Sequence, residues 1–401
     1  MSSVKIKSNK KTQERQSDWW DDFVKGNYNN EQCLKHLKCS RKTYLFLVNF
    51  LMPYTKPKIG ASNDNDIYLR KGVEVEKQVA VLLFKLTTNA DYITISKKFK
   101  IHKTTIHKII YKCVTALNKY LLHDVISMPK KEEVEFMAKD YECSYKIPQI
   151  IGTMTIVHIP ISSPLLLNYQ FLNARLYASF VLQSVVDSNN FFRDVSVRHA
   201  GAAELHTVLA DSNIYKYWKK VIPPAKSNFN GTNVSYKIVG PAQGPLFSWL
   251  LNNYSPPATI SDLFFNTKLE EIRAHANSVI TRLRSRFSIL SQPMDLSYKV
   301  APQIIAVCCI IHNICEKNND IFLEEWQDEC KAFLKKYPQP GMNAEWEQPS
   351  DKVREERDAL RDYANNQDNN AEPTEDLLEA ALNAAILDSV DDVTHFDSIL
   401  H

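Results

Sequence analysis

The sequence is 401 residues long, 44% hydrophobic and 24% charged, a balance that fits a folded chain of two or three domains and excludes a wholly disordered one. Its formal charge of +3 is unevenly spread: residues 368–401 hold nine carboxylates and no Lys or Arg, so removing their −9 leaves +12 on residues 1–367. No apolar run approaches the ~18 residues of a membrane-crossing helix, and the lysine-bearing start lacks the apolar core of a secretory signal.

A basic body suggests a polyanionic partner, with nucleic acid the first candidate. Eight irregularly spaced cysteines form no disulfide framework and read as reduced thiols of the cytosol or nucleus. In chain order, residues 1–16 are a polar tail whose Lys5, Lys7, Lys10 and Lys11 could serve nuclear import. Residues 18–52 read as a small helical unit, from Trp19-Trp20 to Tyr44-Leu45-Phe46-Leu47-Val48. Pro53, Pro57 and Ser62-Asn63-Asp64-Asn65-Asp66 then break the chain, closing a lead-in over residues 1–60.

Residues 70–128 form a helical domain. Val79, Leu82, Leu83 and Leu86 give one apolar face, Tyr92, Ile95 and Phe99 a second, and Ile106, Ile110, Cys113 and Leu117 a third. Only Lys100-Ile101-His102 separates the last two helices, the outline of a helix-turn-helix. From residue 147 the pattern changes to β-branched and aromatic runs at 150–161, 177–186, 191–197 and 234–239. Asp187-Ser188-Asn189-Asn190 turns the second run into the third. Helical spacing marks 204–220, 262–290, 300–316 and 350–364. The expected class is α/β: a mixed sheet with packed helices over 147–316, a helical extension over 317–367 and an acidic tail over 368–401.

Several segments resemble transposases of the PIF/Harbinger group and the host proteins derived from them. They are Trp19-Trp20 with Ser40-Arg41-Lys42-Thr43-Tyr44, the helices of 73–122, and Arg198-His199-Ala200-Gly201. With them go Phe265-Asn266, Arg284-Ser285-Arg286-Phe287-Ser288-Ile289-Leu290 and Cys308-Cys309-Ile310-Ile311-His312-Asn313. The resemblance implies a ribonuclease-H-like core of the DDE type, which cuts DNA with two divalent metals held by three carboxylates. Hard ions require such oxygen ligands, and two of them must stabilise the attacking and leaving oxygens.

Carried over residue by residue, that chemistry is missing. The three ligand positions fall on Thr155, Pro241 and Asn277, and an aspartate often found at the intervening helix maps to Leu205. Residues 143–186 and 212–261 contain no Asp or Glu at all, so a shift of register does not restore a ligand. The core therefore reads as catalytically inactive, with no cofactor. A working metal-dependent nuclease with relocated ligands and a protein–protein adaptor are the competing readings.

With Ile106, Ile110, Cys113 and Leu117 inward, Thr104, Lys108 and Lys112 line the outer side of their helix, flanked by Lys97, Lys98, Lys100 and Lys103. This stripe is the candidate DNA contact, mostly to phosphates. Cys308, Cys309, His312 and Cys315 have helical offsets that suit a soft metal but sit among isoleucines, which favours a core role. Glu204, His206 and Asp211 fit a helix start better than an acid/base cluster. In the tail, Leu377, Leu378, Leu382 and Ile386 recur at helical spacing among carboxylates, a pattern for docking on a partner or on the basic body. The expectation is a nuclear protein that binds DNA or chromatin in transcriptional or silencing control. The resemblance adds a Myb/SANT- or MADF-like nuclear partner.

Overall fold

The computed structural model describes residues 19–55, 72–162, 169–341 and 346–367. Three helices open it: α1 (Trp19–Lys25), α2 (Asn30–Leu37) and α3 (Arg41–Thr55). Trp20, Phe23, Tyr28 and Tyr44 meet ring to ring, giving this small unit a core of large, rigid side chains. The expected break at Pro53 is not seen, because α3 continues through it to Thr55. Pro53 and Asn49, whose carbonyl loses its donor, both lie on the exposed side of the helix. The helix end is closed by Lys112 and Gln78, which donate to the Thr55 carbonyl at 3.1 and 3.3 Å.

The next helices, α4 (Val75–Thr88), α5 (Tyr92–Phe99) and α6 (Lys103–Tyr120), follow the expected faces. Val79, Leu82, Leu83, Leu86, Ile95, Phe99, Ile106, Ile110, Cys113 and Leu117 are all buried. Asp91 caps α5 by accepting from the Thr94 N–H at 2.6 Å, Lys100 ends it in the left-handed region (φ 52°), and His102 caps α6. A short α7 (Leu122–Val125) leads to α8 (Lys131–Tyr145), which has no counterpart among the sequence expectations. Its buried stripe is Val134, Met137, Ala138 and Tyr141, at helical spacing among charged residues.

The sheet begins with β1 (Ile150–Pro160), β2 (Ser179–Val186) and β3 (Phe192–Ala200), all antiparallel. Asp187 makes the β2–β3 turn, its Oδ1 accepting from the N–H groups of Asn189 and Phe191. The helical stretch after β3 is two helices, α9 (Leu205–Ala210) and α10 (Asn213–Val221), divided where the Ser212 hydroxyl accepts from the Tyr215 N–H as a new cap. The expected fourth strand also divides. Asn230-Gly231, both at positive φ, turn β4 (Lys226–Phe229) into β5 (Thr232–Ser235) as a separate hairpin, and β6 (Lys237–Val239) then joins β1. With β7 (Leu250–Leu251), the order is β3-β2-β1-β6-β7, the last two parallel to β1.

Every residue of β1 and β2 is buried, which requires cover on both faces. The helices α11 (Ile260–Arg286) and α12 (Ala301–Lys317) supply one layer, packing on Val157, Ile159, Leu182 and Val186. On the other face, α8, α9 and α10 pack on Ile151, Met154, Ile156, Val181 and Val185. Two further helices, α13 (Glu325–Lys336) and α14 (Asp351–Gln367), lie against α11. One apolar cluster runs from Trp20 through α4 and α6 into α12 and the sheet, joining the N-terminal helices to the α/β layers. The architecture is a ribonuclease-H-like mixed sheet with packed helices, as expected.

Candidate catalytic positions and nucleic-acid interface

Thr155 lies on β1 directly opposite Ser184 of β2, and their buried hydroxyls share a 2.7 Å hydrogen bond. Pro241 follows Gly240 just beyond β6, half-buried and without a side-chain ligand. Asn277 is on α11 with its side chain exposed. One turn earlier, Arg273 is buried against the end of β6. Its Nε donates to the Gly240 carbonyl at 2.7 Å, its Nη2 to Asn252 at 3.0 Å, and its Nη1 to Asn253 and Glu270. A fixed guanidinium therefore lies beside Pro241 and a neutral hydroxyl pair at Thr155, and neither supplies the anionic oxygen that a hard divalent cation takes. Leu205, at the start of α9, is buried with Ile156, Val181 and Val208.

Among the five strands of this sheet, Asp194 on β3 carries the one carboxylate. Burial lifts it to about 6, partly offset by Arg198, and its Oδ2 has no hydrogen-bond partner. No group of three or more His, Cys, Asp or Glu side chains is gathered for a metal among the described residues. Cys308, Cys309, His312 and Cys315 are buried on α12. The His312 Nε2 donates to the Asn190 carbonyl at 2.9 Å, and burial lowers its ring to about 3. Glu204, His206 and Asp211 do not converge. Glu204 precedes α9, His206 lies against Trp346, and Asp211 pairs with Lys216 and His199.

The residues of the α5–α6 stripe divide into two groups. Lys97, Lys100, Lys103, Thr104 and Lys108 are exposed on the outer side of the turn and the first half of α6, with Thr104 hydrogen-bonded to the capping His102. His107, exposed between Lys103 and Tyr111 and stacked on Tyr111 at 4.3 Å, belongs to the same face. Lys98 is half-buried, its ammonium 4.3 Å from the Trp19 ring and 4.9 Å from Phe84, where it packs α1 onto α5. Lys112 is exposed but spends its ammonium on the Thr55 carbonyl. These two attachments depend on residues far away in sequence and have no local signal. Leu377, Leu378, Leu382 and Ile386 lie outside the described residues.

Residues 155–313 match the family model of the DDE superfamily endonuclease, a match that begins at Thr155. The chain is 26% identical over 325 residues to the protein ALP1-like of Arabidopsis thaliana, covering 77% of each chain. It is 24% identical over 323 residues to the antagonist of like heterochromatin protein 1 of the same organism, covering 77% of this chain and 80% of that one. No solved structure gives a significant match. No helix among the described residues is long and apolar enough to cross a membrane. Sheet order, flanking helices, the DDE superfamily endonuclease match over residues 155–313 and similarity to both relatives over 77% of the chain agree with the resemblance to the PIF/Harbinger transposase-derived group.

Proposed function

We propose that this transposase-derived chain does not cut DNA and acts in the nucleus as a DNA- or chromatin-associated binding protein, in transcriptional or silencing control. The observation that carries the reading is the set Thr155, Pro241 and Asn277, which brings no anionic oxygen into a core of the expected fold. Two divalent ions without carboxylates lose most of their binding energy, and the buried Arg273 guanidinium adds repulsion. The basic outer face of α5 and α6 supplies the nucleic-acid contact, with Lys97, Lys100, Lys103 and Lys108 on phosphates. The name of one relative, an antagonist of like heterochromatin protein 1, supports a chromatin setting and nuclear location. A Myb/SANT- or MADF-like nuclear protein is the second partner in this reading.

The test uses one preparation of the full chain for two measurements. Supercoiled DNA incubated with it and Mg²⁺ or Mn²⁺ remains intact, while duplex DNA is bound with an affinity that falls as salt rises. Cleavage that tracks the protein through purification and vanishes with EDTA would establish a nuclease with relocated ligands. Absence of DNA binding even at low salt would leave a protein–protein adaptor.

A further inference from the structure

We infer that α10 is a second nucleic-acid contact, built for a single strand and placed on the opposite face of the sheet from α6. The inference rests on the reading that the partner is nucleic acid. Helix α6 reaches the sheet through α12, whereas α10 packs with Ile151, Met154 and Val185 on the other side.

Residues 212–261 hold five lysines and no carboxylate. Two of the lysines are occupied, Lys237 by the buried Glu356 and Lys216 by Asp211. Lys219, Lys220 and Lys226 remain exposed and make no ion pair among the described residues. Asp211, the carboxylate bonded to α10, is already neutralised by Lys216 at 2.9 Å. Arg198 secures the same corner, donating to the Asp211 carbonyl and to the Asn213 side chain at 3.1 and 2.9 Å.

The helix is kinked at Tyr217, which has φ −126° and ψ 19° and is 52% exposed. Its neighbour Tyr215 is held edge-on against Phe247 and Trp249, so the platform beneath is rigid. The Lys220 ammonium lies 5.8 Å from the Tyr217 ring centre and that of Lys219 lies 5.6 Å from the Trp218 ring. A half-exposed aromatic ring beside an unpaired lysine, with two more unpaired lysines on the same segment, matches the two requirements of an unpaired strand, a face for a base and cations for the phosphates that flank it. A duplex offers the phosphates but keeps its bases stacked inside.

The experiment measures binding of the full chain to a labelled oligo(dT) of about 16 nucleotides and to a duplex of similar length, across a salt series. The variant Lys219→Ala/Lys220→Ala/Lys226→Ala is expected to weaken oligo(dT) binding tenfold or more and flatten its log–log salt slope by about 2. Tyr217→Ala is expected to weaken it about tenfold with the slope unchanged, a pattern that lost charge cannot produce. Thermal melting checks that these exposed changes leave the fold intact. Oligo(dT) binding equal to the parent in the triple variant overturns the inference. So does displacement by polyglutamate of matched charge together with a silent Tyr217→Ala, which would mark a surface for acidic proteins. The variant Lys103→Ala/Lys108→Ala separates this inference from the proposed function. Loss of duplex binding there, with α10 variants unaffected, removes the second surface only; the reverse pattern removes α6 and keeps α10.

Discussion

Replacing Lys103 and Lys108 with alanine tests the proposed contact of α6 with DNA. Both side chains are exposed and bond to no other described residue, so their loss changes stability by within about 0.5 kcal/mol. If each neutralises one phosphate, the log–log slope of affinity against salt becomes shallower by about 1.8. Across a fourfold rise, from about 50 to 200 mM, the parent's advantage over the variant then shrinks roughly tenfold. Lys112 gives the contrast within the same helix. Its ammonium donates to the Thr55 carbonyl, so Lys112→Ala costs about 1 kcal/mol of stability and leaves the slope nearly as it was. Fluorescence anisotropy at four salt concentrations, with thermal melting of each variant, reads both effects. Parallel salt lines for Lys103→Ala/Lys108→Ala and the parent would refute the contact, and a slope change in Lys112→Ala would refute the division of roles.

Asp194, lifted to about 6 by burial against an ordinary 3.8, holds its proton more tightly in the folded chain than in the unfolded one. Its contribution is therefore best below pH 4 and is lost as pH rises through 6, so Asp194→Asn stabilises by about 1–3 kcal/mol at pH 7 and by almost nothing at pH 4. An equal shift of melting temperature at both pH values would contradict this. Glu356→Ala strands the buried Lys237 ammonium and costs about 3–5 kcal/mol in urea unfolding, most of it recovered in Lys237→Met/Glu356→Leu. A cost below about 1 kcal/mol would mean that water already reaches the pair. Asn313 accepts from the Phe192 N–H and donates to the carbonyls of Phe192 and Val125, so Asn313→Ala costs about 3 kcal/mol. An unfolding midpoint equal to the parent's would show that those backbone groups find other partners.

The helical faces were legible because Val79, Leu82, Leu83 and Leu86, or Ile106, Ile110, Cys113 and Leu117, repeat at the helical period and are all buried. The strands β1 and β2 were legible because, covered on both sides, they read as continuous apolar runs, whereas the two-residue β7 was too short to give a pattern. What escaped were the points where one polar residue redirects the chain. The Ser212 cap divides α9 from α10, Asn230-Gly231 folds back a hairpin, and side chains from distant helices seal the end of α3 beyond Pro53. The absence of Asp and Glu from residues 143–186 and 212–261 was a matter of counting. The placement of Arg273, Lys98 and Lys112 was not, because each is fixed by partners brought near only by folding.

Residues in the segments that carry the family resemblance are tied to distant parts of the fold across the core. The Ser40 N–H donates to Asp320 at 2.8 Å, and Asn318 donates to the Thr43 hydroxyl at 2.9 Å. Lys38 donates to the Ser285 carbonyl while Arg286 donates back to that of Lys38, and Arg284 reaches the His158 carbonyl on β1 at 2.7 Å. Asn313 joins β3 to the end of α7, and at Gly201 any Cβ would overlap the Ser179 hydroxyl and the Phe171 carbonyl. These residues satisfy buried polar groups and permit close approach, so they serve the shape of the domain rather than its chemistry. Thr155, Pro241 and Asn277 stand outside that network. Thr155 is a β-branched strand residue with its hydroxyl satisfied by Ser184, and Asn277 faces solvent on a helix. Neither asks for a metal. The contacts that shape the domain are therefore made largely apart from Thr155, Pro241 and Asn277, which is the physical ground on which the proposed function rests.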